Sequence, residues 1–109
     1  MWKCLKKLLW QFWQWMMSDI KELTKKIEEM RQHFGWQNSD TPNILAKSLV
    51  VEAGELLEAF LEADYDIAKV SSELADVLMY ALSLANDLGL DINDLISEKI
   101  EEVKKRRYE

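Results

Sequence analysis

The chain has 109 residues, 49% of them hydrophobic and 31% charged, which predicts one globular domain and excludes a disordered chain. Its formal net charge of −6 excludes a general binder of nucleic-acid polymers, because phosphate contacts need a basic surface. With only three glycines, one proline and the single Cys4, we expect an all-α fold without a disulfide, in the cytoplasm.

The first sixteen residues, MWKCLKKLLWQFWQWM, differ from the rest of the chain. They contain four of the five tryptophans and three lysines, and no acidic residue. Helical spacing gathers most of the apolar side chains on one broad side, which predicts an amphipathic helix. It could pack on the domain or on another subunit, or be an extension upstream of a domain at residues 17–109. We favour these interpretations over a third, contact with a membrane surface.

Two helices are predicted in the first half of this domain. Apolar residues recur at helical spacing from Ser18 or Asp19 to Phe34. After a polar loop at residues 35–40, Thr41 is a capping residue and is followed by a proline at the first helical position. The second helix is expected to run to Ala63.

Two further helices complete the prediction. The third is expected from Ile67 to Leu88, with Gly89 as the residue that ends it. Asp91 caps the fourth, which closes in a run of four cations, residues 104–107. Four helices with short connections predict a four-helix bundle protomer, to which the N-terminal amphipathic helix is an addition.

Two acidic pairs are the most informative feature of the sequence. Glu52 and Glu55 lie in the second predicted helix, and Glu73 and Asp76 in the third; residues three apart share a helix face. Asp76 lies within the apolar run of residues 74–85, where an unpaired carboxylate is costly. Four carboxylates converging from two helices would instead share a divalent cation. Such oxygen ligands favour Mg²⁺, with Mn²⁺ as the alternative.

Other catalytic centres find little support in the sequence. A carboxylate-bridged di-iron bundle needs Glu-x-x-His steps, and the only histidine is His33, away from both pairs. A glycine-rich phosphate loop and a Ser/His/Asp constellation are absent. Isolated acidic pairs are also common on solvated helix faces, so a site without function remains the alternative.

Three further residues are candidates for substrate contact. Trp36, in the polar loop, could stack on a base or seal the end of the bundle. Tyr80 lies four residues after Asp76 and shares its face, as a pocket residue or as a core tyrosine. Lys99 could contact phosphate, although a solvated lysine is the ordinary interpretation.

These residues carry a resemblance to a known family. Gly35-Trp36, residues 41–46 (TPNILA), residues 51–58 (VEAGELLE) and residues 73–80 (ELADVLMY) resemble the MazG-like, all-α nucleoside triphosphate pyrophosphohydrolases. The resemblance covers about residues 18–108. It implies an enzyme that converts an NTP or dNTP to the monophosphate and pyrophosphate, as in the removal of unwanted nucleotides. It also implies a homodimer, or a homotetramer made of two dimers.

The resemblance assigns roles to the candidate residues. By this resemblance, magnesium would be held by Glu52, Glu55, Glu73 and Asp76. A metal-activated water would attack the α-phosphorus. One of the glutamates would act as the base, and Glu55 is the first candidate. Trp36 and Tyr80 match positions that line the nucleotide pocket in the deoxycytidine triphosphatase-like branch. Lys99 matches a lysine that contacts phosphate.

Two departures affect substrate recognition. Related sequences often carry Gln-Trp where this chain has Leu61-Glu62, and an asparagine where it has Val103. The metal ligands are complete, whereas part of the base pocket and one phosphate donor are changed. The alternative function is therefore a catalytically weak helical module for oligomerisation or nucleotide binding.

Overall fold

In the computed structural model, residues 2–108 form five α-helices: α1 (Trp2–Phe34), α2 (Trp36–Ser39), α3 (Pro42–Glu58), α4 (Ile67–Asp87) and α5 (Ile92–Tyr108). The structure describes the backbone of residues 2–108 and the side chains of residues 2–12 and 19–106. No strand occurs within residues 2–108, so the expected all-α fold is confirmed. Helices α1, α3, α4 and α5 correspond to the four predicted helices, and α2 is a single turn within the predicted loop.

Helix α1 is continuous from Trp2 to Phe34, so the predicted start at Ser18 or Asp19 is wrong. No glycine or proline interrupts residues 2–34, and extending a helix costs less than nucleating a new one. The division into residues 1–16 and 17–109 stays a prediction, and its boundary falls inside α1. Several side chains used in the sequence interpretation lie outside the described residues: Trp13, Trp15, Met16, Ser18 and Arg107.

Capping side chains fix where three helices begin. Each accepts a hydrogen bond from a first-turn amide: Thr41 Oγ1 from Ile44 (3.4 Å), Asp66 Oδ1 from Ala68 (3.0 Å) and Asp91 Oδ1 from Asp94 (3.0 Å). The caps at Thr41 and Asp91 were predicted, whereas Asp66 was assigned to a turn. Gly89, after α4, has a φ of 68°, and Gly35, after α1, has a φ of 69°. Both adopt the left-handed conformation that favours glycine at a helix end.

Helix α3 ends at Glu58, five residues before the predicted Ala63. The chain turns over residues 59–66, where the rings of Phe60 and Tyr65 pack at 4.9 Å between centroids. This contact and the Asp66 cap stabilise a reversal that returns the chain along α3. A local helical pattern cannot reveal such a contact, because the contact forms only once the chain has turned.

Helices α3 and α4 form the most extensive pair, α1 packs on α4, and α2 packs on α1. The buried hydrophobic residues within the described part are few: Leu45, Ala59, Val70 and Ala85. The radius of gyration is 18.0 Å, against about 13 Å for a compact chain of this length. Large apolar side chains on α3, α4 and α5 are consequently exposed, among them Val50, Leu78 and Ile96.

Candidate active site

Three carboxylates converge where α3 faces α4. Glu52 and Glu55 lie on consecutive turns of α3, and Glu73 lies on α4. One carboxylate oxygen of each lies within 4.8 Å of the others. We call Glu52, Glu55 and Glu73 the acidic cluster. The structure thus brings together three of the four ligands that the sequence predicted.

The acidic cluster brings carboxylates together with little compensating positive charge. Glu52 Oε2 and Glu73 Oε2 are buried and accept no hydrogen bond. Burial raises the pKa of Glu52 above its usual value, and the carboxylates of Glu55, Asp76 and Glu73 raise it further. The pKa of Glu73 is also raised, by burial first and then by Glu55 and Asp76, with partial opposition from Lys69. The cluster is therefore unfavourable for the protein alone.

The donor set fits a divalent cation. Its atoms are carboxylate oxygens, the ligands that Mg²⁺ and Mn²⁺ take. A cation would supply the missing partner of both buried oxygens and offset the repulsion that raises the two pKa values. Asp76, the fourth predicted ligand, lies beside the cluster, and its charge acts on Glu52 and Glu73.

A cavity of about 200 Å³ adjoins the acidic cluster. Glu52 and Asp76 form part of its wall, and the predicted aromatic residues Trp36 and Tyr80 form another part. The Trp36 ring stacks on Phe34, with 4.9 Å between centroids and 22° between planes. The remaining wall is mainly apolar: Ile27, Met30, Leu45 and Met79. The cavity is thus acidic on one side and aromatic on another.

A larger cavity of about 380 Å³ lies between α1, α4 and the start of α5. Lys21, Thr24 and Asn86 are among its lining residues. It contains no side chain of the acidic cluster and none of the predicted substrate contacts. The smaller cavity is therefore the one associated with the candidate chemistry.

Lys99 lies away from this site within one chain. Its ammonium group donates to Glu102 at 2.7 Å, and both side chains are exposed on α5. Hydrogen bonds from Lys99 and from Arg106 hold the pKa of Glu102 below its usual value. Lys99 does not line the cavity beside the acidic cluster in the described part of the chain. Its role as a phosphate contact stays a prediction.

Arg31 is a cavity residue that the sequence interpretation missed. It is 2% exposed, and Nη1 and Nη2 donate to the two carboxylate oxygens of Asp87 at 3.0 and 2.9 Å. Nη1 also donates to Glu28 at 2.7 Å, and these bonds raise the pKa of Arg31. The sequence contained one signal that Arg31 faces the interior: it lies four residues after Ile27, within the apolar stripe of α1. Asp40, which follows α2, also lines the cavity and was missed.

Sequence comparison identifies the family. A family model described as MazG-like matches residues 43–109, which include the acidic cluster, Asp76 and Tyr80. The chain belongs to the MazG-like family. A comparison of this MazG-like chain with curated protein sequences finds no match.

A solved structure with a similar fold is a pyrophosphatase from Archaeoglobus fulgidus. The two chains are 28% identical, with a TM-score of 0.74, and the alignment covers 81% of this chain and 91% of that chain. The similarity therefore extends over nearly the whole archaeal protein and agrees with the all-α fold described above.

Proposed function

We propose that this MazG-like protein is a magnesium-dependent pyrophosphohydrolase that converts an NTP or dNTP to the monophosphate and pyrophosphate. One observation carries the proposal: Glu52 and Glu73, two members of the acidic cluster, each bury a carboxylate oxygen without a partner, beside a cavity that Trp36 and Tyr80 also line. The pyrophosphatase activity named for the similar archaeal protein supports the same class of reaction. A role in removing unwanted nucleotides follows from that activity.

In this proposal Glu52, Glu55 and Glu73 hold the magnesium, with Asp76 completing the site. A bound magnesium ion supplies positive charge, which polarises a phosphoryl oxygen and promotes ionisation of a water. Glu55 is the most exposed of the three glutamates and accepts the proton of the attacking water. The bond from the water oxygen to the α-phosphorus forms, the bond from the α-phosphorus to the bridging oxygen breaks, and pyrophosphate leaves.

The cavity beside the cluster receives the base. Trp36 provides a flat ring, already held by Phe34, on which a base stacks. Because Glu52 and Asp76 line the same cavity as Trp36, a base stacked on Trp36 has its triphosphate within reach of the acidic cluster. The volume of about 200 Å³ is below the range of roughly 300–1,000 Å³ for whole-ligand pockets. The small volume favours a pyrimidine base over a purine base, and we propose dCTP as the preferred substrate.

We further propose that the enzyme works as a homodimer or as a homotetramer of two dimers. Exposed apolar residues on α3, α4 and α5 give a second copy of the chain a surface to cover. Since Lys99 is not among the residues that line the cavity beside the acidic cluster of its own chain, it contacts phosphate from a neighbouring subunit in this arrangement.

Product analysis with a panel of nucleotides tests the proposal. The protein is incubated with canonical and modified NTPs and dNTPs in the presence of Mg²⁺, and monophosphate and pyrophosphate are quantified. We expect the two products in equal amounts, fastest from dCTP, and none when a chelator replaces the metal. If no nucleotide yields product and added metal leaves Tm unchanged, the enzymatic proposal is wrong, and the alternative of a catalytically weak helical module for oligomerisation or nucleotide binding takes its place.

A further inference from the structure

The beginning of α1 exposes an apolar surface that its own domain does not cover. We call residues 2–12 the N-terminal arm. Trp2, Leu5, Leu8 and Leu9 are exposed by 68%, 51%, 62% and 60%. Their spacing of three and four residues places them on one side of the helix. Packing on its own domain, one of the interpretations open from the sequence, is therefore wrong for this part of α1.

The charge of the arm indicates what covers this surface. Lys3, Lys6 and Lys7 are its charged residues, and the first acid in the chain is Asp19. The three lysines leave a formal charge of −9 on the rest of the chain. Lys6 Nζ lies 5.2 Å from the centroid of the Trp2 ring, so cation and aromatic ring adjoin at the edge of the apolar side. An anionic surface with an apolar layer beneath it complements this pattern.

We propose that the N-terminal arm binds the surface of an anionic lipid bilayer. Its tryptophans and leucines enter the boundary between headgroups and acyl chains, and its lysines contact anionic headgroups. A helix segment with lysines beside a broad apolar side is typical of helices that lie in the plane of the membrane surface. In agreement, no helix in the described part of the chain is long and apolar enough to cross a membrane.

The same charges orient the rest of the protein. The remainder, at −9, is repelled by the anionic lipids that attract the arm. The acidic cluster therefore stays in the aqueous phase, away from the surface. The arm of a second copy would bring three more cations and no acid. Pairing of two arms would therefore leave the lysines without negative charges to neutralise them, which favours lipid as the partner of the apolar side.

Vesicle binding by the full-length chain tests this proposal. Co-sedimentation is measured with vesicles of phosphatidylcholine alone and with added phosphatidylserine. Each lysine near an anionic surface contributes roughly a fivefold gain in binding, so K3Q/K6Q/K7Q should bind the anionic vesicles on the order of 100-fold more weakly. The matched control K21Q/K25Q/K26Q removes the same charge from the same helix and should bind as the parent does. L5Q/L8Q/L9Q should lose binding to both kinds of vesicle.

Three results would overturn the proposal. One is a parent protein that does not sediment with anionic vesicles. Another is a control variant that loses as much binding as K3Q/K6Q/K7Q. The third is an L5Q/L8Q/L9Q variant that keeps vesicle binding but has a lower molecular mass by equilibrium sedimentation, which would make the arm a subunit contact.

Discussion

The acidic cluster and the N-terminal arm depart in opposite ways from the usual distribution of polar and apolar groups. The cluster places carboxylate oxygens of Glu52 and Glu73 in the interior without a partner. The arm leaves large apolar side chains, Trp2 and three leucines, more than half exposed to solvent. Each arrangement is unfavourable for the isolated chain, and each becomes favourable with one class of ligand: a divalent cation for the first, an anionic lipid surface for the second.

Arg31 shows what a buried charge looks like when the chain itself provides the partners. Its side chain is 3% exposed, and Asp87 and Glu28 accept hydrogen bonds from Nη1 and Nη2, so that only Nε of the guanidinium is buried without a partner. The two carboxylates remain partly accessible to water, which lowers the cost of burying the pair. The contrast with the cluster separates a charge that stabilises the fold from charges that await a ligand.

The largest effect is expected from E52Q. The variant removes a metal ligand but preserves the side-chain shape. Mutation of a residue that only orients a metal ligand costs up to about 100-fold in activity, so loss of the ligand itself should lower kcat/KM for pyrophosphate release by more than about 100-fold. E58Q, at the end of the same helix, should retain activity. Vesicle binding by E52Q should be unchanged, since the two regions are independent. Comparable activity in E52Q and the parent would remove Glu52 from the metal site.

R31A tests the stabilising buried charge. Removing the guanidinium leaves Asp87 and Glu28 without their cation, and the free energy of unfolding should fall by about 3 kcal/mol, the lower end for a broken buried pair. R106A breaks the exposed pair with Glu102 and should cost under about 1 kcal/mol. Urea denaturation compares the two variants. Equal losses would mean that Arg31 is no better placed than a surface arginine.

W36A separates base stacking from a sealing role. Loss of one stacking partner should raise KM about tenfold with a smaller change in kcat, while W36F should recover most of the affinity. W10A removes an exposed tryptophan of the arm and should leave KM unchanged. A W36A variant with normal KM and a lower Tm would assign Trp36 to the closure of the bundle instead.

The smallest effect is a pH-dependent change in Tm. The raised pKa of Glu73 means that the ionised form of its carboxyl group is disfavoured in the folded protein. The stabilising contribution of this residue is therefore present below the usual pKa of 4.5, and it is lost as the pH rises through the folded-state pKa. In chelator at neutral pH, E73Q should therefore melt a few degrees above the parent, and the difference should vanish in acid. Added Mg²⁺ should raise the Tm of the parent but not of E73Q. A constant difference at all pH values would contradict the repulsion within the cluster.

The sequence predicted those features that depend on local spacing. Glu52 and Glu55 share a face because they are three residues apart, and Thr41 and Asp91 cap because their side chains reach their own helix. The acidic cluster was predictable because both pairs lie within strongly helical segments. Trp36 and Tyr80, which the family resemblance assigns to one nucleotide pocket, line the same cavity, and their role in binding a nucleotide stays a prediction.

Features that depend on distant contacts were not predictable in this way. The Arg31–Asp87 pair joins residues 56 positions apart, and no local pattern selects that partner. The early end of α3 is accompanied by a contact between the rings of Phe60 and Tyr65, which forms only after the chain has turned. The change of composition near residue 16 suggested a helix boundary, but composition alone does not break a helix that lacks glycine and proline.

Direct titration of Mn²⁺ tests the central claim, that the acidic cluster is a cation site. Free Mn²⁺ is followed by electron paramagnetic resonance in the absence of nucleotide, so catalysis is not required. The parent and E58Q should bind Mn²⁺, more tightly as pH rises, and Mg²⁺ should compete; E52Q and E73Q should have lost this binding. Identical titrations of the parent, E52Q and E73Q would contradict the account.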